Sequence, residues 1–348
     1  MKSLEKILDK HLGILGINGS GKTYTAKGCV EALLEKKERV CIIDPTGVWW
    51  GLKSSATGKS GGFPVVVFGG EHADLPISGL HGETIAEAIG TSNTPAIIDT
   101  SLMRGGERTK FFTDFAETLR IKNSGPLHLF IDEAHLFCPQ GRVSDPNSAQ
   151  MLHAANNLIS LGRARGLRVT LISQRPAKMH KDSLTQVHSL IAMHLIAPQD
   201  RAAVEDWIAD QADVKRGKEI IASLPSLKTG EGYLWAPELG ILERMKFPKI
   251  STFDSSATPD GGGKGEGPVL KPIDLSSIEG RLATIKTEAV KNDPTSLKRR
   301  IAELEKQVRE KPMALIDPIA LQKAKAEGFN EGVKAIHNDL RGRVKMAK

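Results

Sequence analysis

The segment Gly16-Ile-Asn-Gly-Ser-Gly-Lys22-Thr23 follows a short apolar run and precedes a stretch with helical spacing. Its residues fit G-x-x-x-x-G-K-[ST], the pattern of a phosphate-binding P-loop, at every fixed position. Glycine lets the backbone wrap around a phosphate and aim its N–H groups inward. The positive N-terminal end of a following helix strengthens such a site. The segment therefore predicts a strand, a phosphate-binding loop and a helix.

Short apolar runs rich in β-branched residues recur around this segment, with helical patterns between them. Continuous apolar character suits strands that are buried on both faces of a sheet. Helical spacing is clear in Ala26–Leu34 and in Phe111–Leu119. The alternation predicts an α/β fold with a mostly parallel sheet covered by helices. The predicted strands are His11–Leu15, Val40–Ile43, Val65–Phe68, Ala96–Ile98, Leu127–Ile131, Val169–Ile172 and Leu190–Ile196.

Composition places the chain among ordinary globular proteins, with 40% apolar and 26% charged residues in 348. We expect a cytoplasmic protein without membrane contact, because no apolar run would span a bilayer and no signal core follows Met1. Cys29, Cys41 and Cys138 have neither metal-ligand spacing nor a disulfide pattern. The net charge of +7 mildly favours a polyanionic partner.

The α/β pattern fades after about residue 254, and the segment Asp260–Gly267 contains five glycines. Such a composition predicts a flexible linker. Two apolar stripes beyond it, Leu297–Val308 and Phe329–Val344, predict helices in a basic tail. We therefore predict three parts: an ATPase domain at 1–254, a linker at 255–272 and a helical tail at 273–348.

The P-loop predicts ATP and Mg²⁺ as cofactors. Lys22 is expected to bridge the β- and γ-phosphates, and the Thr23 hydroxyl to hold Mg²⁺. The residues expected to contact the nucleotide are Asn18, Gly19, Ser20, Gly21, Lys22, Thr23 and Tyr24.

A second acidic element follows the P-loop by about a hundred residues. In Leu127-His-Leu-Phe-Ile-Asp132-Glu133, two carboxylates end a run typical of a buried strand. Asp132 is expected to orient Mg²⁺ through its water shell, and Glu133 to act as general base on the attacking water. An apolar run ending in Asp-Glu is common by itself, so this assignment depends on the P-loop before it.

The tetrapeptide Asp132-Glu-Ala-His135 also matches the signature that names a helicase superfamily. Those helicases need two RecA-like domains with the nucleotide between them. This chain has one P-loop and too few residues after it for a second such domain and the tail, so we discount that interpretation.

Further segments resemble the HerA branch of the HerA/FtsK superfamily, whose members are ring-forming P-loop motors with a RecA-like core. The resemblance extends over roughly residues 11–250. The segments that carry it are Ile42-Ile-Asp-Pro-Thr-Gly-Val-Trp49, Gly162-Arg-Ala-Arg-Gly166, Leu171-Ile-Ser-Gln-Arg-Pro176, Leu224-Pro225 and Gly230-Glu-Gly-Tyr-Leu-Trp-Ala-Pro237.

The resemblance implies roles for several residues, and each has a plainer alternative. Gln174 would be the sensor of the γ-phosphate, or only a hydrogen-bonding residue at a strand end. Arg163, or with less support Arg165, would reach the ATP of a neighbouring subunit as an arginine finger; both could instead form a solvated basic turn. Asp44 would lie near Mg²⁺ or the attacking water, or simply form a turn with Pro45.

The family also implies a function. We expect a Mg²⁺-dependent ATPase that assembles into a ring and moves double-stranded DNA. The usual ring of the family is a homohexamer. A nuclease or another effector protein is expected as a partner. Family members usually carry an N-terminal β-barrel; with a P-loop starting at residue 16 we expect it to be missing and the tail to substitute for it. The alternatives are a regulatory or assembly subunit that moves no DNA, and a non-hydrolysing scaffold.

Overall fold

One sheet of nine strands organises the part of the chain that the structure describes. The structure is a computed structural model, and it describes residues 2–141, 147–209, 214–256, 268–273, 322–323 and 325–336. The chain divides into two units, Met1–Val290 and Lys291–Lys348. The sheet belongs to the first unit.

The sheet is parallel over most of its width. Its strand order is β3-β4-β2-β5-β6-β1-β7-β8-β9. The pairs from β3 across to β7 are parallel, whereas β8 and β9 are antiparallel to their neighbours. The strands are β1 (Leu12–Leu15), β2 (Val40–Asp44), β3 (Val66–Phe68), β4 (Ala96–Asp99), β5 (Leu127–Ile131), β6 (Leu167–Ser173), β7 (Ser189–Ala192), β8 (Glu231–Ala236) and β9 (Ile241–Lys246).

Helices cover both faces of the sheet. Successive side chains of a strand point to opposite faces, so the continuous apolar strands present apolar side chains on both sides. Ile14 and Ile42 belong to a core on the side of α1 and α2, and their neighbours Leu15 and Ile43 to a core on the other side. The helices are α1 (Lys2–Ile7), α2 (Lys22–Glu35), α3 (Gly82–Thr91), α4 (Gly105–Lys122), α5 (Ser148–Gly162), α6 (Lys181–Thr185), α7 (Pro198–Ala209) and α8 (Val214–Ser223).

The predicted α/β architecture is confirmed, and the seven predicted strands correspond to β1–β7. The predicted run Leu190–Ile196 is longer than β7, which ends at Ala192. The hairpin of β8 and β9 was not predicted as strands. β9 is only partly buried and contains Glu243, Arg244 and Lys246, so it lacks the continuous apolar run of the central strands.

The segment from Phe247 to Ser256, which we call the strap, follows β9 and lies along α2. Glu31 of α2 is buried and accepts hydrogen bonds from the backbone N–H and the hydroxyl of both Ser251 and Thr252, over 2.6–3.0 Å. The strap is therefore fixed to the helix that begins at the P-loop.

Part of the predicted linker is hydrogen-bonded to earlier residues of the first unit, to which it belongs. The N–H groups of Val269 and Lys271 donate to the carbonyls of Gly58 and Lys53. The remaining linker residues 257–267 lie outside the described residues, and the boundaries at 254 and 272 stay predictions.

The second unit contains a helical segment at 325–336, within the predicted tail. Phe329, Val333 and Ile336 are exposed on it. The rest of that stripe and the whole of Leu297–Val308 lie outside the described residues.

We expect Glu31→Ala to lower the free energy of unfolding by about 2–4 kcal/mol, since the substitution removes a charged acceptor from the buried Thr252 N–H and from the more exposed Ser251 N–H. Denaturant unfolding checks this, with Glu35→Ala as control because Glu35 is exposed on the same helix. Equal stability of the two variants would mean that the strap is not held through Glu31.

Candidate active site

The P-loop connects β1 to α2 at the edge of the sheet where the parallel strands end. Gly21 precedes the first residue of α2 with a φ of 91°, a left-handed conformation that glycine adopts at little cost. At Gly16, a Cβ would lie 2.6 Å from the Ser20 hydroxyl oxygen. Both glycines are therefore required by the path of the loop, as the P-loop pattern predicts.

The loop is braced by the start of β8. The Gly230 N–H donates to the Ser20 carbonyl at 2.9 Å, and the Thr229 hydroxyl donates to the Gly19 carbonyl at 3.0 Å. The family-like segment that begins at Gly230 therefore has a local role, which is to hold the phosphate-binding loop in place through a hydrogen bond just before β8.

Lys22 lies between the loop and the predicted general base. Its ammonium is 3.5 Å from Asn18 Oδ1 and 3.8 Å from Glu133 Oε1, and the Lys22 and Glu133 side chains are largely buried. A cation at this point of a glycine-rich loop is placed to neutralise phosphate oxygens.

Asp132 directly follows β5 and is buried, and each of its carboxylate oxygens accepts one hydrogen bond. The Trp49 indole N–H donates to Oδ2 at 2.8 Å, and the Glu133 N–H donates to Oδ1 at 2.9 Å. Burial raises the pKa of Asp132 to about 6, and the Trp49 hydrogen bond opposes that rise. The carboxylate is thus ionised at neutral pH and keeps acceptor capacity for metal-bound water.

Glu133 has an unusual backbone and one oxygen without a hydrogen-bond partner. Its φ of 45° lies in the left-handed region, which a residue other than glycine rarely adopts. Oε2 is buried and accepts no hydrogen bond from any described residue. Burial raises the pKa of this carboxyl group, and the Lys22 ammonium opposes the rise. Such an oxygen is suited to receive a proton from water.

His135 connects Glu133 to the end of β6 and was not predicted as a site residue. Its Nδ1 lies 3.3 Å from Glu133 Oε2 and 3.1 Å from the Ser173 hydroxyl oxygen. Burial lowers the pKa of His135 to about 4, so the ring is neutral at pH 7. Its sequence signal was the DEAH tetrapeptide, which pointed to a different class of protein.

Gln174 directly follows β6, and β6 lies between β1 and β5 in the sheet. Because the three strands are parallel, Gln174, the P-loop and Asp132 meet at one edge. The structure thus brings together the predicted residues Lys22, Thr23, Asp132, Glu133 and Gln174.

Asp44 lies at the same edge, and its carboxylate is used by its own loop. It accepts hydrogen bonds from the Thr46 N–H and hydroxyl, the Gly47 N–H and the Trp49 N–H, at 2.8–2.9 Å. A carboxylate has about four lone-pair sites, so little capacity remains for a metal or water. This geometry supports the turn alternative, with Asp44 positioning Trp49 for its bond to Asp132.

Arg163 lies at the other end of the sheet. It is exposed in a short 3₁₀ turn, Arg163–Arg165, before β6 begins at Leu167. Seven strand residues separate that turn from Gln174, which is a distance of roughly 20 Å. The structure therefore does not bring Arg163 or Arg165 into the chain's own site.

The described residues fit a nucleotide with Mg²⁺. A cleft of about 480 Å³ runs along the P-loop from Asn18 to Tyr24 and ends at the strap. The buried Ser20 hydroxyl in the loop has no hydrogen-bond partner in the described structure. Thr23 and Asp132 offer the oxygen donors that Mg²⁺ prefers. A second groove of about 510 Å³, beside Met179 and Trp207, contains none of the predicted site residues.

Comparisons with known proteins bear on the family resemblance of the sequence. Residues 3–108 match the family described as "Helicase HerA, central domain". The DNA double-strand break repair helicase HerA of Pyrococcus furiosus is 27% identical over 155 residues, covering 37% of this chain and 27% of that protein. A probable HerA of Methanocaldococcus jannaschii is 28% identical over 125 residues, covering 36% and 23%. The match thus spans about a quarter of the length of these curated relatives.

Similar solved structures include a genome packaging NTPase, B204, from Sulfolobus turreted icosahedral virus 2. It has 15% sequence identity and a TM-score of 0.46, and the similarity covers 70% of this chain and 97% of that one. Plasmid coupling protein TrwB has 11% identity, coverage of 72% and 88%, and a TM-score of 0.48.

Two features are absent from the described residues. No helix among them has the length and apolar character needed to cross a membrane. Nor do they contain a group of three or more His, Cys, Asp or Glu side chains arranged to hold a metal ion. The family match over residues 3–108 and the curated relatives confirm the resemblance to the HerA side of the HerA/FtsK superfamily that the sequence indicated.

Proposed function

We propose that this chain is a Mg²⁺-dependent ATPase that moves double-stranded DNA as one subunit of a homohexameric ring. The observation that carries the proposal is the gathering of Lys22, Asp132, Glu133 and Gln174 at one sheet edge, with Arg163 at the opposite end. DNA as the substrate is supported by the relatives named as DNA repair helicases.

Hydrolysis uses groups whose positions fit their tasks. Lys22 neutralises charge on the β- and γ-phosphates, and Thr23 and Asp132 hold Mg²⁺, which supplies further charge neutralisation when bound. Glu133 takes the proton of the attacking water through Oε2, its oxygen without a hydrogen-bond partner in the described structure. His135 Nδ1 is 3.3 Å from that oxygen and 3.1 Å from the Ser173 hydroxyl oxygen, so the ring lies between the carboxylate and the end of β6.

Strand β6 connects the site to the neighbouring subunit in this proposal. Gln174 at its end senses the γ-phosphate of the chain's own ATP, and Arg163 at its start contacts the ATP of the neighbour. β6 is hydrogen-bonded on both sides, to β1 and β5, and we propose that it shifts as a unit. A change at Gln174 is therefore passed to the adjacent interface.

We further propose a cytoplasmic location and the three-part organisation at 1–254, 255–272 and 273–348. A protein partner, such as a nuclease or another effector, is supported by Phe329, Val333 and Ile336, which are exposed on one helical segment. The same stripe supports the second candidate, an ATP-dependent regulatory or assembly subunit that moves no DNA.

The ATPase rate with and without duplex DNA separates these two candidates. For a motor, we expect linear duplex DNA to raise the rate of the full chain until it saturates, and added salt to weaken the effect because phosphate contacts release counterions. A rate that DNA leaves unchanged, in protein that hydrolyses ATP, would favour the regulatory candidate.

We expect Glu133→Gln to bind ATP with near wild-type affinity but to hydrolyse it about 10²–10⁴-fold more slowly, because an amide cannot accept the proton from water. Nucleotide retention and single-turnover hydrolysis measure the two effects. Glu117→Gln serves as the control, since Glu117 is exposed on α4. Lys22→Ala should lose nucleotide binding itself. If Glu133→Gln also failed to bind, Glu133 would be a structural residue.

We expect Arg163→Ala to bind ATP and assemble normally, yet to hydrolyse it on the order of 10³-fold more slowly if Arg163 acts on the neighbouring subunit. Mixing it with Glu133→Gln protein should then restore activity, because some interfaces combine an intact Glu133 with an intact Arg163. The parallel experiment with Arg165→Ala tells the two arginines apart. Mixed rings verified by native mass measurement that stayed inactive would exclude the trans assignment.

A further inference from the structure

The cleft beside the P-loop extends past the phosphate-binding residues, and nothing so far accounts for its far end. It continues from Lys22 across Tyr24 to the strap, where Phe247, Lys249 and Asp254 line it. Because this cleft adjoins Lys22 and Thr23, it offers space for the sugar and base of a nucleotide whose phosphates lie on the P-loop. The following inference rests on the proposed ATP binding and concerns the sugar.

The strap is positioned relative to α2 by three polar side chains on one helix face. The Tyr24 hydroxyl accepts from the Ile250 N–H at 3.1 Å, and Glu31 holds Ser251 and Thr252. Between them, Lys27 donates to the Ser255 hydroxyl at 3.1 Å. The spacing of three and four residues places all three on one side of a helix. The strap therefore has a fixed register against the helix that begins at the P-loop.

Lys27 is a fully buried lysine to which the proposed chemistry gives no role. Its ammonium lies 3.8 Å from Asp254 Oδ1, and its side chain has no exposed surface. Burial lowers the pKa of Lys27 to about 8, opposed first by the Asp254 charge. A buried charge is costly compared with an apolar side chain of the same size. Here it holds Asp254, whose side chain is 37% exposed and lines the cleft.

The chemistry of Asp254 limits what it can meet there. A carboxylate would repel the triphosphate, so it must face an uncharged part of the ligand that offers hydrogen-bond donors. Lys27 is four residues beyond Thr23, which is about 6 Å along the helix. A group at that distance from Thr23 is closer to the sugar, which is next to the α-phosphate, than to the base.

We propose that Asp254, positioned by Lys27, binds the ribose hydroxyls of the nucleotide and makes the site selective for ribonucleotides. The pairing of a carboxylate with ribose hydroxyls is also how dinucleotide-binding folds recognise their ligand. Asp254 is then a binding residue, and Lys27 a positioning residue that acts through it.

The test compares the binding of ATP and 2′-deoxy-ATP, measured by calorimetry on the full-length chain with Mg²⁺. We expect wild type to prefer ATP by roughly tenfold or more, as for a hydrogen bond to a charged group. Asp254→Ala should remove the preference by weakening the binding of ATP more than that of 2′-deoxy-ATP, which keeps only the 3′-hydroxyl. Lys27→Met should reduce the preference in the same direction, and Asp254→Asn, which keeps an acceptor oxygen, should retain part of it.

Three results would overturn the proposal. The first is equal binding of the two nucleotides by wild type, and the second is an equal loss of affinity for both nucleotides in Asp254→Ala. The third is a change in the ATP-to-GTP preference of Asp254→Ala without a change in its sugar preference, which would assign Asp254 to the base. Lys22→Ala distinguishes failure of this inference from failure of the proposed function, because this variant should lose the binding of both nucleotides whether or not Asp254 contacts the ribose. Wild-type protein that binds neither nucleotide would reject the proposed ATPase along with this inference.

Discussion

The candidate site depends on the parallel pairing of β6 with both β1 and β5. This pairing brings Gln174, the P-loop and Asp132 to one edge, because parallel strands end on the same side of a sheet. A slip of one residue in either pairing would turn every strand side chain to the opposite face. The buried residues of β6 would then meet the wrong layer of helices. The same packing that stabilises the core therefore also determines the geometry of the chemistry.

The geometry of the site is maintained largely by loops that contribute no catalytic group. Asp44 illustrates this: its four hydrogen bonds fold the loop after β2 and place the Trp49 indole against Asp132. The family-like segment around Asp44 is thus explained by orientation of the Asp132 carboxylate. Gly230 is a comparable case, since it braces the phosphate-binding loop from the start of β8. Both segments carry the family resemblance: the first acts through the Asp44 carboxylate and the Trp49 indole, and the second through the backbone N–H of Gly230.

The sequence sufficed for the elements whose signals are local. Continuous apolar runs predicted the parallel strands, and the fixed spacing of a P-loop located Lys22 and Thr23. Asp132 and Glu133 were found because they end such a run. His135 was overlooked as a site residue because its contact with Ser173 joins two strand ends 38 residues apart. Asp254 was overlooked for the same reason, since its contact with Lys27 leaves no periodic signal in the sequence.

The strap has a consequence for the order of events during synthesis of the chain. Lys27 and Glu31 leave the ribosome early, but Ser251, Thr252 and Asp254 follow more than two hundred residues later. At ordinary translation rates that interval is roughly 10–50 s. Until it ends, α2 carries two charged side chains whose partners have not been made, and an apolar sheet cannot bury them at low cost. The polar contacts between the strap and the helix behind the P-loop can therefore form only when the last part of the core arrives, which makes docking of the strap a late step in folding.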